Sequence, residues 1–158
     1  MALGRRRDDS WDGVERRAAS VVMVVNDDPD ACEMLVRMVG SRGYRAVGAT
    51  SLEEAGGRYS HDLPRCVVLD LHEGGIGTSL KALDTIRSHD DMRVSTARVV
   101  LCASSPRNRS FSFQSGADSF VVRPYHLDEL MAQIADVLDR AHQDRARHRR
   151  DELARYGD

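Results

Sequence analysis

Five short apolar runs, at residues 21–25, 44–48, 66–71, 98–102 and 119–122, alternate with stretches of helical pattern. This alternation constrains the fold more tightly than any other feature of the chain. Strands that alternate with helices lie parallel and are joined by right-handed crossovers. Runs that are apolar almost throughout, rather than at every second residue, belong to a sheet covered on both faces. The expected fold class is therefore α/β: a doubly wound five-stranded parallel sheet in three layers, α/β/α. Such sheets bind their ligands at the carboxyl ends of the strands. Asn26, Asp27, Asp70 and Cys102 all stand at ends of that kind and are expected to converge on one crevice.

The stretches between the strands carry apolar stripes. Met34, Leu35, Met38 and Val39 share one helical face, and Leu80, Leu83 and Ile86 another. Leu127, Leu130, Met131, Ile134, Val137 and Leu138 make the clearest one. Ser51 to Glu54 fits a capping box. The segment 104–115, SSPRNRSFSFQS, is a poor helix former, so a short or frayed helix is predicted there. Residues 1–20, with Trp11 as their only large anchor, read as a flexible N-terminal arm. Residues 21–138 read as the domain, and 139–158 as a charged extension of its last helix.

The run VVMVVNDDPD, residues 21–30, raises a chemical question, because a buried strand ends in an amide and two carboxylates. Buried carboxylates are costly unless something positive sits against them. Asp28 suits the N-cap of a helix whose first residue is Pro29. Capping leaves Asn26 and Asp27 unexplained, and a cation in an open crevice is the other reading.

The bulk numbers fit one soluble domain: 158 residues, 41% hydrophobic, 30% charged and net charge −2. That balance favours neither nucleic acid nor a membrane as partner of the whole chain, and no segment approaches transmembrane length. In the tail, Arg145, Arg147, Arg149 and Arg150 interleave with Asp139, Asp144, Asp151 and Glu152. Mixed charge of this kind marks a solvated face, here of a contact helix rather than a nucleic-acid footprint. Cys32, Cys66 and Cys102, an odd count among apolar neighbours, read as reduced, buried thiols. Arg5, Arg6 and Arg7 are followed by DDSWDG, not by the apolar stretch of an export signal. The expected localisation is cytoplasmic.

In order and at suitable separations, VVMVVNDDPD, CVVLDL, VVLCAS and GADSFVVRPYHLDEL resemble the receiver domain of two-component response regulators, over about residues 21–138. The resemblance implies a flavodoxin-like (βα)5 fold and a part in phosphorelay signal transduction. Asp70 matches the phospho-acceptor that a sensor histidine kinase loads. A carboxylate can be such a nucleophile when a cation neutralises the developing charge. The resemblance supplies Mg2+ as that cation, held by Asp27, Asp70 and the backbone carbonyl of His72, with Asn26 contributing weakly or through water. It also implies phosphoryl contacts or switch roles for Cys102, Arg123 and Phe120, and a cis peptide before Pro124.

Several of these positions depart from the family's pattern. Asn26 stands where an acid is usual, so magnesium should bind more weakly and Asn26→Asp should tighten it. Cys102 replaces a hydroxyl by a weakly donating thiol, with Ser104 two residues on. Arg123 replaces a lysine, and Lys81, on the third predicted helix, is no substitute. A guanidinium fork matches a carboxylate, so a bidentate Arg123–Asp70 pair is expected, mimicking the neutralised state. Phe120 is a switch aromatic without a hydroxyl. In the loop HEGGIGTSL, Gly74, Gly75 and Gly77 suggest a phosphate cradle but lack the spacing of one and lie beside carboxylates.

Two functional readings follow. One is an atypical stand-alone response regulator, phosphorylated on Asp70 and acting by protein–protein contact. The other is a pseudo-receiver, a binding module that works without phosphorylation through segment 104–115, the fifth strand and the last helix. An unrelated flavin or nucleotide enzyme is disfavoured by the missing phosphate loop and the acidic crevice. The expectation is no enzyme, a signalling protein or a second copy (a homodimer) as partner, and neither nucleic acid nor membrane.

Overall fold

The computed structural model describes residues 17–156. The five apolar runs become β1 (Val21–Asn26), β2 (Arg45–Ala49), β3 (Cys66–Asp70), β4 (Arg98–Ala103) and β5 (Ser119–Val122). Between them lie α1 (Pro29–Ser41), α2 (Leu52–Asp62), α3 (Gly75–Arg87), a single turn α4 (Met92–Ser95) and α5 (Arg109–Gln114). Two helices follow the sheet, α6 (Leu127–Asp139) and α7 (His142–Tyr156). All strand pairs are parallel, in the order β2-β1-β3-β4-β5. This is the flavodoxin-like, doubly wound order, whose switch point lies between β1 and β3.

Successive strand residues serve opposite faces. Val22, Val24, Val68, Val100 and Val121 pack with Leu35 and Val39 of α1 and Leu130 and Ile134 of α6. Met23, Val25, Leu69 and Leu101 pack with Tyr59 of α2, Leu83 and Ile86 of α3 and Phe113 of α5. Both faces are covered, which is why the runs are apolar without alternation. Helix α1 meets the sheet closely at Gly48, where a Cβ would lie 2.9 Å from Cys32 Sγ and Val36 Cγ2. Asp28 caps α1, accepting from the amides of Asp30 at 3.1 Å and Ala31 at 3.4 Å. Ser51 caps α2 through the Glu54 amide at 3.0 Å, while the Glu54 carboxylate returns to Thr50 instead of closing the box on Ser51. Segment 104–115 yields a 3-10 turn at Pro106–Asn108 and the six-residue α5.

The tail corrects the expectation that it extends the last helix. Helix α6 ends at Asp139, Arg140 adopts ψ 125°, and α7 begins at His142. Arg98 donates from Nε to the Val137 carbonyl at 3.1 Å and from Nη2 to the Arg140 carbonyl at 3.0 Å, holding groups a continuing helix would use itself. Arg145, only 5% exposed, then ties α7 to Asp118, which is 1% exposed. Its Nε reaches Asp118 Oδ1 at 2.8 Å and its Nη2 reaches Oδ2 at 3.0 Å. Arg87 and the Val99 amide also donate to Oδ2, both at 2.9 Å. Burial alone would raise the Asp118 carboxyl, but these donors outweigh it and hold the group below its ordinary range. Of the predicted N-terminal arm, residues 1–16, Trp11 included, lie outside the described residues.

Candidate functional site

The ends of β1, β3, β4 and β5 open on a crevice of about 580 Å³ whose lining includes Asn26, Met34, Asp70, His72, Arg123 and Tyr125. The parallel register sets Asn26 beside Asp70. Asp70 is 2% exposed and Asn26 1%, so the polar ends of two buried strands meet inside the molecule. Each needs partners within the protein.

Asp70 has them on both oxygens. Arg123 Nη1 lies 2.6 Å from Oδ1. The Tyr125 hydroxyl donates to Oδ2 at 2.7 Å, and Asn26 Nδ2 donates to the same oxygen at 3.3 Å. The exposed His72 ring stands 3.8 Å from Oδ1. The expected fork between Arg123 and Asp70 takes a different form: a single guanidinium nitrogen makes the contact. That Nη1 is shared with the carbonyls of Leu71 at 3.2 Å and Cys102 at 3.5 Å, so the side chain is aimed by the strand ends around it. The Arg123–Pro124 peptide is cis. Burial, with the Asp70 carboxylate alongside, raises the Tyr125 hydroxyl well above its ordinary range, so it stays protonated and donating.

The acidic end of β1 faces elsewhere. The Asp27 carboxylate accepts from the His72 amide at 3.0 and 3.1 Å and from the Glu73 amide at 2.8 Å, clasping the loop after β3. Partial burial would raise its carboxyl, but the two amides prevail and lower it. Asn26 Oδ1 accepts from the Asp28 amide at 2.9 Å. In that loop Gly74 and Gly75 take φ of 78° and 63°, left-handed values that glycine adopts freely, before α3 starts.

Cys102 is fully buried among the side chains of α1 and α6, and burial, reinforced by Asp70, pushes its thiol well up. Ser104 is exposed on the crevice lining. Phe120 packs inward toward α5, with the Arg109 guanidinium 5.1 Å from its ring.

The residues present do not fit a magnesium site in this arrangement. Of the two carboxylates, Asp27 is turned to backbone amides and Asp70 is already neutralised by Arg123. Among the described residues no group of three or more histidine, cysteine, aspartate or glutamate side chains is placed to hold a metal ion. The positive charge beside Asp70 comes from the protein itself. Sequence reasoning brought Asn26, Asp70 and Arg123 together but missed Tyr125. Its signal was a tyrosine one residue past Arg-Pro, and a sequence does not show that this side chain lines the crevice and reaches Asp70.

A model of the response regulator receiver domain matches residues 22–135. The transcriptional regulatory protein PrrA of Mycobacterium tuberculosis is 31% identical over 124 residues, covering 75% of this chain and 50% of that protein. YvrH of Bacillus subtilis, also a transcriptional regulatory protein, is 30% identical over 125 residues, covering 77% and 50%. The chain thus spans about half the length of these relatives. The response regulator TrrA of Thermotoga maritima, solved in complex with Mg2+-BeF, superposes with a TM-score of 0.63 at 27% identity, over 75% of this chain and 98% of that one. Among the described residues no helix is long and apolar enough to cross a membrane.

Proposed function

The chain belongs to the response regulator receiver domain family, and we propose that it signals by protein contact from one locked state, without phosphorylation of Asp70. The observation that carries this reading is the occupation of both Asp70 oxygens, by Arg123 at 2.6 Å and by Tyr125 at 2.7 Å. A carboxylate that attacks phosphorus must release an oxygen from its donors, and charge-assisted contacts of this length are the strong ones. Arg123 also places a fixed positive charge on the anion, and with it the neutral pair that a bound cation otherwise supplies. On this reading the module is a binding protein rather than an enzyme. Its partner is a histidine kinase or another signalling protein in the cytoplasm.

A second reading keeps Asp70 as a phospho-acceptor. It is favoured by the place of Asp70, at the end of β3 on the lining of the crevice. Incubation with acetyl phosphate and Mg2+, followed by intact mass measurement, separates the two. The locked reading expects no mass gain that depends on Asp70. A robust gain in the wild type, lost in Asp70→Asn, would establish the second reading instead.

A further inference from the structure

Nothing in the composition of residues 139–142, Asp-Arg-Ala-His, requires the bend between α6 and α7, since the linker Arg140–Ala141 holds neither glycine nor proline. The bend is held by side chains. Arg98 occupies the carbonyls of Val137 and Arg140, and Arg140 Nη1 reaches the Asp118 carbonyl at 3.2 Å.

Helix α7 is fastened to the body mainly by polar and aromatic contacts. Arg145 binds Asp118 and donates to the Thr96 carbonyl at 2.7 Å. Tyr156 stacks under the Arg109 guanidinium at 4.5 Å, and His148 meets Phe113 edge-on with ring centroids 6.0 Å apart. Leu153 adds an apolar contact with the core. The covered surface is the α5–β5 face.

We propose that α7 is an exchangeable element. In a second state α6 and α7 join into one helix, and α7 docks on the α5–β5 face of a second copy, which returns its own α7 in the same way. The product is a two-fold dimer. Every α7 contact is regained between chains, so exchange costs only the change at the linker and the association itself. In the joined helix the Val137 carbonyl accepts from the Ala141 amide, and the Arg140 carbonyl from the Asp144 amide. These are the two carbonyls that Arg98 holds in the bent form. Arg98 is therefore the catch that selects the monomer.

The test uses the full chain, followed by sedimentation velocity and light scattering over a range of concentrations. Dimer should grow with concentration. Arg98→Gln, which removes two charged hydrogen bonds specific to the bend, should tighten dimerisation about tenfold or more. Ala141→Pro should weaken it by about as much, because proline cannot supply the amide that the joined helix needs. Arg140 is already extended, as the residue before a proline prefers, so this variant should keep the monomer fold, checked by circular dichroism.

Exchange itself is read by mixing a Ser110→Cys chain with a Tyr156→Cys chain. The Ser110 hydroxyl lies 3.3 Å from the Tyr156 carbonyl, and the three native cysteines are buried. A short thiol cross-linker should join the two different chains. A chain that stays monomeric at every concentration would overturn the proposal. So would dimers that fail to cross-link, or that ignore both linker substitutions.

Discussion

Replacing Tyr125 by phenylalanine removes one oxygen and leaves the ring, so it isolates the hydroxyl's hold on Asp70. The hydroxyl is the nearer donor to Oδ2, at 2.7 Å against 3.3 Å for Asn26 Nδ2, while Oδ1 keeps Arg123. A hydrogen bond to a charged group contributes about 1.5–3 kcal/mol. If that energy holds the resting carboxylate and is lost as Oδ2 attacks phosphorus, its removal lowers the barrier by the same amount. With about 1.4 kcal/mol per decade, the rate of reaction with a small phosphodonor should rise roughly 10- to 150-fold. In that step Oδ2 forms a bond to phosphorus and the donor's phosphorus–oxygen bond to the acetyl group breaks, releasing acetate from acetyl phosphate. Stability should fall at the same time by about 1–3 kcal/mol, or a few degrees in Tm for a chain of this size. Intact-mass time courses with acetyl phosphate measure the first effect and thermal unfolding the second. A variant that loses stability but reacts no faster than wild type would refute the idea that Tyr125 restrains Asp70. A mass gain that survives in Tyr125→Phe/Asp70→Asn would refute it as well.

Four further outcomes are expected. Asn26→Asp faces Asp70 Oδ2 with a second carboxylate where an amide now donates at 3.3 Å, so Tm should drop in chelator and recover with Mg2+; a drop without recovery would show that the crevice takes no cation. Asp118→Ala leaves the guanidinium of Arg145 buried without its carboxylate and should cost about 3–5 kcal/mol in urea unfolding. Arg145→Met should cost less, about 1–3 kcal/mol, because Arg87 and the Val99 amide still hold Asp118, and the two losses should not add in the double variant. Burial, aided by Arg140, holds the His148 imidazole below its ordinary value of 6.5 against the opposing pull of Glu152, Asp136 and Asp118. Its neutral form is therefore the docked one, and the unfolded chain takes up the proton first as pH falls. The contribution of His148 is complete above about 6.5 and shrinks as pH drops toward the lowered value, so hydrogen exchange of α7 should quicken there in wild type and not in His148→Gln.

The arrangement of strands was legible because β1, β3, β4 and β5 are buried almost throughout, with only the edge strand β2 half-buried, and that demand is written in local composition. A strand such as Cys66–Asp70 has no polar residue until its last, so its ends, its parallel neighbours and its acidic terminus could all be read in one dimension. Capping of α1 by Asp28 was legible for the same reason, since donor and acceptor lie within three residues of each other. Asn26, Asp70 and Arg123 could be brought together because all three stand at strand ends, which the parallel topology gathers.

What the sequence left open was decided by contacts between residues far apart in the chain. Asp27 was expected to hold a cation, whereas the path of the loop after β3 turns its carboxylate to the amides of His72 and Glu73. The fork expected of Arg123 became a single contact because its Nη1 also serves the carbonyls of Leu71 and Cys102, which only the assembled sheet brings within reach. Residues 127–158 read as one helix, for helical pattern is local. The bend at Arg140 belongs to Arg98 and Asp118, which lie 42 and 22 positions away along the chain and are brought there only by the folded sheet.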